Sequence, residues 1–418
     1  HLLFFPLLQV VKHLFLLCSD LFTALGGSSY STYFTALNGK HFGQHNTASL
    51  AAIGVLLTEE PAQAAEEAGE DRQARMAATP EEQRPVDLTE CERLLEIKNR
   101  SDPNRHYIGE SVAILKVFEQ IDIFNRSPDK PVLILGSEGT GKTHIAELIH
   151  QHSGRSGQFK REQAVFQKGP DPRIPIGRLV GFGKGHALPN IPGHGTTGVL
   201  HECIDGTYFL DELANLPLEF QEFLLDFSEG QEIPKPAGTG TSKLNVRLIC
   251  ATNRNPEELV DQGSLRKDLL DRIGMRRIEI PALADQLEDI FHFVRDLCTG
   301  KGYEPTSQFH LALLQYGWPG NVRELIHVLD LAMDQCTGSG RRLTPDLLTL
   351  AKAPQIVQQV IKMNKEDAER EVYRSLATML MNQGLRRGMG LQKRMVDFLC
   401  GSPATVSRKA KKYLTDLK

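Results

Sequence analysis

The stretch that decides the fold reads Pro131-Val-Leu-Ile-Leu-Gly-Ser-Glu-Gly-Thr-Gly-Lys-Thr143. Its apolar half, Pro131–Leu135, predicts a short buried strand, and His144–His152 after it predicts a helix. The residues between them, Gly136–Thr143, match G-x-x-x-x-G-K-[ST] at every fixed position and lie after a strand and before a helix, as that motif requires. The sequence therefore predicts a loop that binds the phosphates of a nucleotide.

The positions of this loop have predicted roles in binding ATP and Mg²⁺. Its glycines let backbone N–H groups approach the phosphates, and the helix that follows adds the positive end of its dipole. Lys142 would reach the β and γ phosphates, and the Thr143 hydroxyl would bind Mg²⁺. The alternative is a glycine turn that matches the motif by chance. The predicted nucleotide-binding residues are Gly136, Ser137, Glu138, Gly139, Thr140, Gly141, Lys142 and Thr143.

Two acidic residues, Asp211 and Glu212, follow a second apolar run, Thr207–Leu210. Parallel sheets bind ligands outside the carboxyl ends of their strands, and that is where these acids fall. We predict that Asp211 holds Mg²⁺ through water and that Glu212 polarises the attacking water as a general base. The alternative is a solvated helix start that carries acidic residues.

The fold class follows from apolar runs that alternate with helical patterns. Thr207–Leu210 and Val246–Ala251 predict further buried strands, and strands of this kind indicate a parallel α/β sheet. From Ala284 to about Ala353 the pattern is helical alone, and residues 364–418 are helical and basic. The sequence thus predicts an α/β domain, a smaller α-helical domain and a third, C-terminal unit.

The first hundred residues carry little functional information. Residues 1–57 are apolar and irregular and receive no function. Because the first methionine is Met76, we expect either a fragment or some translated upstream sequence before that residue. Residues 58–106 are predicted to form a flexible linker, since the stretch 58–90 is too poor in large apolar side chains to offset its ordering entropy. No uninterrupted apolar run reaches the roughly 18–20 residues that span a bilayer, so we expect no membrane segment.

Composition and cysteine spacing narrow the functional classes. Hydrophobic residues make up 40% and charged residues 24%, a balance typical of soluble proteins, and the formal net charge of −4 does not indicate a nucleic-acid binder overall. The cysteines show neither metal-ligand nor redox spacing, so we expect reduced thiols in a cytoplasmic protein. They are Cys18, Cys91, Cys203, Cys250, Cys298, Cys336 and Cys400.

From about Tyr107 to Leu348 the sequence resembles the sigma-54-interacting AAA+ domain of bacterial enhancer-binding transcription regulators. The resemblance implies an AAA+ parallel sheet over residues 107–283 and an α-helical lid over residues 284–353. Besides the phosphate-binding loop it rests on these blocks: Tyr107-Ile-Gly-Glu-Ser111, Asp205-Gly-Thr-Tyr-Phe-Leu-Asp-Glu212, Ala251-Thr-Asn253, Leu265-Arg-Lys-Asp-Leu-Leu-Asp-Arg272 and Trp318-Pro-Gly-Asn-Val-Arg-Glu-Leu325.

The resemblance also implies roles for single residues. Asn253 matches the sensor that reads the γ-phosphate from a strand end. Arg266 and Arg272 match two arginines that such proteins present to the ATP of a neighbouring subunit, which implies a homo-oligomeric ring. Arg323 matches the second sensor, which reaches from the lid toward the nucleotide. For all three arginines the alternative is simple solvation at the surface.

Two departures from the family pattern bear on function. The family carries Gly-Ala-Phe-Thr-Gly-Ala on a loop that pushes on sigma-54, whereas this chain has Gly185-His-Ala-Leu-Pro-Asn190 on an exposed loop, His186–Thr197. We therefore expect an altered sigma-factor contact, since Pro189 also fixes φ and removes an N–H. The family also has an asparagine that restrains the catalytic glutamate, and Gln167 is the nearest candidate in the sequence.

The C-terminal residues 385–418 hold nine Lys or Arg and two Asp. A short amphipathic helix, Leu391–Leu399, a turn, and a second helix that begins at Ser402-Pro403 predict a helix-turn-helix whose second helix enters the major groove of DNA. This tail resembles the Fis-type domain that ends such regulators. The alternative is a basic tail for oligomer contacts or solubility. The predicted DNA contacts are Thr405, Ser407, Arg408, Lys409 and Lys412.

Taken together, these features predict an ATP-dependent transcription regulator that binds promoter or enhancer DNA. It would hydrolyse ATP in a ring and remodel an RNA polymerase sigma factor, with sigma-54 itself left open by the altered loop. Two alternatives stay open. One is a chaperone-like AAA+ ATPase that remodels another protein, and the other is a DNA-binding repressor with a vestigial ATPase.

Overall fold

The computed structural model describes residues 88–163, 173–182, 196–230, 232–234, 241–337, 340–350, 354–383, 385, 389–399 and 401–415. All of them lie in the unit Arg84–Lys418, and a second unit, His1–Gln83, lies outside them. The predicted segment 1–57, the linker up to residue 87 and Gln167 are therefore outside the described residues. So is the loop His186–Thr197, apart from its last two residues.

A parallel sheet of five strands lies at the centre of this unit. Its strands are β1 (Val132–Leu135), β2 (Phe159–Gln163), β5 (Thr207–Asp211), β8 (Arg247–Thr252) and β9 (Arg277–Glu279), in the order β2-β5-β8-β1-β9. The three apolar runs of the sequence form β1, β5 and β8, which are the central, buried strands. The predicted parallel α/β sheet is confirmed, and β2 and β9 are strands that the hydropathy pattern missed.

Helices cover both faces of the sheet. The cores on the two faces are separate, with α2 and α3 on one side and α4 to α8 on the other. Two short antiparallel pairs, β3 (Gly181–Phe182) with β4 (Thr196–Thr197) and β6 (Glu232–Pro234) with β7 (Thr241–Lys243), lie outside the main sheet. The helices are α2 (Val112–Asn125), α3 (Lys142–Gln151), α4 (Arg173–Val180), α5 (Val199–Glu202), α6 (Leu218–Gly230), α7 (Pro256–Asp261) and α8 (Lys267–Ile273), with a single 3₁₀ turn at Leu213–Asn215.

A helix that the sequence did not predict, α1 (Leu88–Ser101), lies before this domain. Cys91 and Leu94 on its inner face are buried, and α1 packs along α2. Arg93 pairs with Glu119 of α2 in support of that packing. The prediction of a flexible linker over 58–106 is therefore wrong for this part, because a short apolar stripe suffices when a neighbouring helix covers it.

The predicted lid is a helical layer with its own core. It contains α9 (Asp289–Leu297), α10 (Ser307–Leu314), α11 (Asn321–Gln335) and α12 (Pro354–Ile361), with 3₁₀ turns at Leu283–Asp285, Thr299–Lys301 and Pro345–Leu347. The expectation of helix alone is wrong in one detail. A two-residue parallel pair, β10 (Glu304–Pro305) with β11 (Arg342–Leu343), joins two connections of the lid.

The C-terminal residues form three helices, α13 (Lys365–Asn382), α14 (Met389–Leu399) and α15 (Pro403–Tyr413). The Ser402 hydroxyl accepts a hydrogen bond from the Thr405 amide and caps α15, as predicted. Val406, Ala410 and Tyr413 of this helix are buried. These residues share one hydrophobic core with the lid helices, so the tail is packed on the lid. Across the described residues, no helix combines the length and apolarity that a bilayer crossing requires.

Candidate nucleotide site

Two glycines in the left-handed region of backbone space shape the phosphate-binding loop. Gly139 has a φ of 80° and Gly141 a φ of 97°, values that residues with a Cβ rarely adopt. A Cβ added to Gly139 would lie 2.2 Å from the carbonyl oxygen of Gly320 in the lid. Gly141 lies directly before α3 at its cap position. Glycine is therefore required at Gly139 for two reasons, the backbone conformation and the close approach of the lid.

Lys142, the first residue of α3, extends along the inside of the loop. Its Nζ donates to the carbonyl oxygens of Gly136 at 2.7 Å and Ser137 at 3.0 Å. Burial lowers the pKa of Lys142, and the nearby carboxylate of Asp211 acts in the opposite direction. Thr140 adds a hydrogen bond from its hydroxyl to the Ser137 carbonyl. The phosphate-binding loop thus holds the Lys142 ammonium group in position to contact a bound phosphate.

The two acids lie at the carboxyl end of β5, beside the phosphate-binding loop. Asp211 is the last residue of the strand, and Glu212 follows it with a φ of 60°, a strained value for a residue other than glycine. The Glu212 carboxylate accepts hydrogen bonds on both oxygens, from Gln163 Nε2 at 2.6 Å and from Asn215 Nδ2 at 2.8 Å. Its position is therefore determined by a backbone kink and by two amide donors.

Gln163 makes the contact for which Gln167 was the sequence candidate. It ends β2, and its backbone is in register with Asp211 of β5. The signal in the sequence was the position of Gln163 at the carboxyl end of a strand, but β2 was not recognised because Phe159-Lys-Arg-Glu-Gln163 contains one apolar residue. Gln167 itself lies outside the described residues.

The lid closes over the phosphate-binding loop through direct polar contacts. Asn321, which has a φ of 53°, donates from its side chain to the Glu138 carbonyl at 2.8 Å and accepts from the Leu283 amide at 2.9 Å. The Arg323 amide donates to the Gly139 carbonyl at 3.2 Å, and its guanidinium pairs with the Glu138 carboxylate at 2.7 Å. Arg323, the predicted second sensor, is thus held at the phosphate-binding loop by a backbone hydrogen bond from the first turn of α11.

These elements enclose a cleft of about 840 Å³. It contains the predicted residues Glu138 to Thr143, the two acids, Asn253 and Arg323. No motif assigned a ligand role to the rest of the wall, because these residues lie outside the phosphate-binding motif and are brought together only by the fold. The additional lining residues are His106, Tyr107, Ile108, His144, Glu147, Arg161, Gln163, Phe293, Val322 and Ile326.

Comparison with known proteins agrees with this geometry. Residues 107–279 match the family model described as the sigma-54 interaction domain, and residues 275–359 match the AAA+ ATPase lid domain. The Psp operon transcriptional activator of Escherichia coli is 35% identical over 240 residues, which cover 53% of this chain and 70% of that protein. The chain belongs to the sigma-54 interaction domain family. Its central domain is accordingly an AAA+ ATPase.

Other family members and a solved structure extend the likeness. The nitric oxide reductase transcription regulator NorR1 of Cupriavidus necator is 33% identical over 252 residues, covering 58% of this chain and 48% of that protein. The chain thus spans about half the length of this relative. Crystal structures of NtrX from Brucella abortus, at 24% identity, share the fold with a TM-score of 0.51 over 76% of this chain and 72% of that one.

The two arginines that the family resemblance assigns to a neighbouring subunit do not line the cleft of their own chain. Arg266 directly precedes α8 and forms an ion pair with Asp268 at 2.7 Å. Arg272 donates to the Ser228 carbonyl at 3.0 Å, and within the described residues its Nε has no hydrogen-bond partner. Both lie on the α6–α8 side of the sheet, away from Lys142.

The predicted DNA contacts of α15 are divided between two environments. Lys409 and Lys412 form ion pairs with Glu369 and Glu366 of α13. Arg408 is exposed. Two hydroxyls are also engaged inside the tail, since Ser407 donates to Gln392 at 3.2 Å and Thr405 accepts from Ser402 at 2.8 Å.

Proposed function

We propose that this chain is an ATP-dependent transcription regulator that hydrolyses ATP in a ring and binds DNA through its C-terminal helices. The observation that carries the proposal is the cleft. Lys142, Asp211 and a restrained Glu212 face one another there, and Arg323 reaches in from the lid. Relatives whose names describe a transcriptional activator and a transcription regulator support the regulatory part.

The cleft suits a triphosphate with Mg²⁺. The Thr143 hydroxyl and the Asp211 carboxylate are oxygen donors that line it together, and Mg²⁺ is usually held by one or two such protein ligands with the remaining positions filled by phosphate and water. The bound ion would neutralise charge that develops on the phosphates. Lys142 would contact the β and γ phosphates, and Asn253 would contact the γ end from its strand.

Glu212 would act as the general base that orients the attacking water. In the described conformation both of its carboxylate oxygens accept amide hydrogen bonds, from Gln163 and Asn215. These hydrogen bonds turn the carboxylate oxygens toward the amides. A general base needs one of those oxygens to face the water from which it takes a proton. We therefore propose that Gln163 restrains Glu212 and that hydrolysis requires the carboxylate to turn toward the water.

The site would be completed by a second subunit. Arg266 and Arg272 lie outside the cleft of their own chain, so they can act only at a cleft supplied by a neighbour. An arginine supplied in trans stabilises phosphoryl-transfer charge and raises rates by about 10³–10⁵ in studied cases. A ring of subunits in head-to-tail contact provides this arrangement at every interface.

The nucleotide site is tested by Lys142→Ala, with Lys160→Ala as the matched control. Lys160 is a lysine on β2 that pairs with Glu202 outside the cleft. We expect Lys142→Ala to abolish binding of a fluorescent ATP analogue, and Lys160→Ala to bind as the unmodified chain does. Normal turnover by Lys142→Ala would show that the site is assigned wrongly.

The shared site is tested by mixing Arg266→Ala with Glu212→Gln. Each variant alone should bind ATP and fail to hydrolyse it. In an equal mixture, about a quarter of the interfaces would combine an intact Glu212 with an intact Arg266, so ATPase activity should return in part. Activity that stays at zero in the mixture, while the subunits still assemble, would contradict a site completed in trans.

The tail would bind DNA with α15, and the partner would be a polymerase sigma factor, with the sigma-54 contact dependent on the altered loop. Exposed Arg408 would contact phosphate, and Thr405 and Ser407 would reach base edges after exchanging their hydrogen bonds with Ser402 and Gln392. Specific binding to a palindromic site that weakens steeply with salt supports this proposal. Indifference to DNA favours the alternative of a chaperone-like remodelling ATPase, and DNA binding without ATP turnover favours a repressor.

A further inference from the structure

Arg161 lies in the cleft although no motif assigns it a role. Side chains along a strand point alternately to the two faces of its sheet. On β2, one face therefore carries Phe159, Arg161 and Gln163. Phe159 stacks on Phe209 of β5 at 5.9 Å between ring centroids, and Gln163 reaches Glu212. Arg161, between them, is thereby directed along β5 toward its carboxyl end.

Arg161 forms an ion pair with the acid that would hold the metal. Its Nη2 lies 2.9 Å from Asp211 Oδ2. The two partners differ in freedom, because the Asp211 side chain is 11% exposed whereas that of Arg161 is 47% exposed. The carboxylate is thus held in place, and the guanidinium is the partner that can leave.

Three other charged groups of the cleft have hydrogen-bond or ion-pair partners of their own. Glu138 pairs with Arg323, Glu212 accepts from two amides, and Lys142 donates to two loop carbonyls. Lys142 also attracts the Asp211 carboxylate, but Arg161 is the group that forms an ion pair with it. A dication that binds Asp211 must compete with Arg161, and loss of the arginine would leave Asp211 with less positive charge to offset it beside the phosphates.

We propose that Arg161 is a positioning residue that sets how strongly ATP binding depends on Mg²⁺. Without the metal, Arg161 neutralises Asp211 and lets the triphosphate enter. With Mg²⁺ bound, the Asp211 carboxylate would face the hydrated ion, and Arg161 would be free to move toward the solvent side of the cleft. This inference rests on the proposed function, because it assumes that the cleft binds ATP and that Asp211 faces the metal.

The experiment measures the affinity of the full-length chain for a fluorescent ATP analogue, with Mg²⁺ and with EDTA at constant ionic strength. In Arg161→Gln the metal-free affinity should fall about tenfold, because an unscreened carboxylate then faces the phosphates. The affinity with Mg²⁺ should change much less, so the ratio of the two affinities rises. Arg161→Lys keeps the charge and should restore most of the metal-free affinity.

A double variant distinguishes this effect from general damage. Adding Asp211→Asn to Arg161→Gln removes the uncompensated charge, so the metal-free affinity should recover while the gain from Mg²⁺ is lost. Lys160→Gln, the neighbouring charge change that faces Glu202, should leave both affinities unchanged. A thermal melt of each variant reports whether it is folded.

Two outcomes would overturn the inference. One is that neither affinity changes in Arg161→Gln. The other is an equal loss of affinity with and without Mg²⁺ in folded protein, which would make Arg161 a plain phosphate ligand. Either result leaves the proposed function intact, because the unmodified chain still binds ATP. The proposed function itself fails if the unmodified chain shows no affinity for the analogue under either condition.

Discussion

Arginines lie at both ends of the central sheet, and the two ends give them different partners. At the amino end, Arg155, Arg247 and Arg276 donate mainly to backbone carbonyls of the loops that enter the strands. At the carboxyl end, Arg161 and Arg323 pair with carboxylates, and their side chains are 47% and 71% exposed. The same side chain thus appears once as a part of the fold and once as a part of the cleft.

The two groups of arginines differ in whether they can exchange their present partners for a ligand. A buried guanidinium that satisfies several carbonyls cannot leave without exposing acceptors that water does not reach. An exposed ion pair between a guanidinium and a carboxylate contributes little free energy. The guanidinium can therefore leave the carboxylate and bind a phosphate with little loss of stability. Arginines of the first kind stabilise the protein, and those of the second kind are available to a ligand.

The largest effect is expected for Arg247→Met. Burial lowers the pKa of Arg247 to about 10, and the charges of Arg276 and Arg155 add to this, but the group stays charged at neutral pH. Its removal leaves Asn125 Oδ1 and the Lys130 carbonyl without this donor, whereas the Phe124 carbonyl still accepts from Arg276. We expect the free energy of unfolding to fall by about 2–4 kcal/mol in urea denaturation.

The matched change at the other end is Arg161→Met. Because its ion pair is half exposed, this variant should lose less than about 1 kcal/mol of unfolding free energy. ATP-analogue binding by the folded Arg247→Met protein should be unchanged. Similar destabilisation by the two substitutions would remove the distinction between the ends of the sheet.

A second effect concerns buried carboxyls where the lid meets the tail. Glu288 is buried, accepts a hydrogen bond from Gln383, the residue that follows α13, and lies beside buried Asp289. Burial and then the charge of Asp289 raise the pKa of Glu288 to about 7, against the lowering effects of its hydrogen bonds and of Arg394. The Glu288 carboxyl is thus the acidic counterpart of Arg247. Both are ionisable groups whose charged forms are disfavoured by burial away from water.

The direction of the pH dependence follows from this raised pKa. Between the ordinary carboxyl value of 4.5 and about 7 the folded protein binds a proton that the unfolded chain has released. The stability from this group is therefore full below the lower value and is lost as pH rises through the upper one. We expect Glu288→Gln to be more stable than the unmodified chain at pH 8 by about 1–3 kcal/mol and similar to it at pH 4.5.

The control for this prediction is Glu366→Gln, which neutralises an exposed glutamate of α13. It should leave the slope of unfolding free energy against pH between 5 and 8 as it is, within roughly 0.5 kcal/mol. If Glu288→Gln keeps the slope of the unmodified chain, Glu288 is not the group that titrates there.

The sequence predicted the parts of the fold whose composition is set by burial. β1, β5 and β8 are central strands, and their apolar runs follow from packing on both faces. β2 is an edge strand with partly exposed side chains, so hydropathy gave no sign of it. Helix α1 was missed because its apolar stripe is short and its stability depends on α2.

The same distinction separates the site residues that motifs predicted from those that they did not. Lys142 and Asp211 belong to local patterns with required spacing, and the family resemblance added Arg323 from the lid. Arg161 and Gln163 are brought to the cleft by the pairing of β2 with β5, a contact between distant parts of the chain. Pairing of that kind leaves no local pattern of spacing in the sequence.

The smallest effect on stability is expected for Glu138→Gln, which should nevertheless raise the affinity for the ATP analogue. The Glu138–Arg323 pair is exposed on both sides, at 77% and 71%, so its loss should change the free energy of unfolding by less than about 0.5 kcal/mol. Affinity for the ATP analogue should instead rise a few-fold at low salt, because a negative charge is removed beside the phosphates and Arg323 is released toward them.

The control for that last change is Glu119→Gln, which breaks a pair with Arg93 on the far side of α2 and should leave the affinity as it is. Raising the salt concentration should reduce the gain of Glu138→Gln, since the Debye length falls to about 8 Å at physiological ionic strength. A lower affinity in Glu138→Gln would mean that Arg323 needs its carboxylate to be held in position. The carboxyl-end arginines would then resemble those of the amino end, with partners that the fold requires.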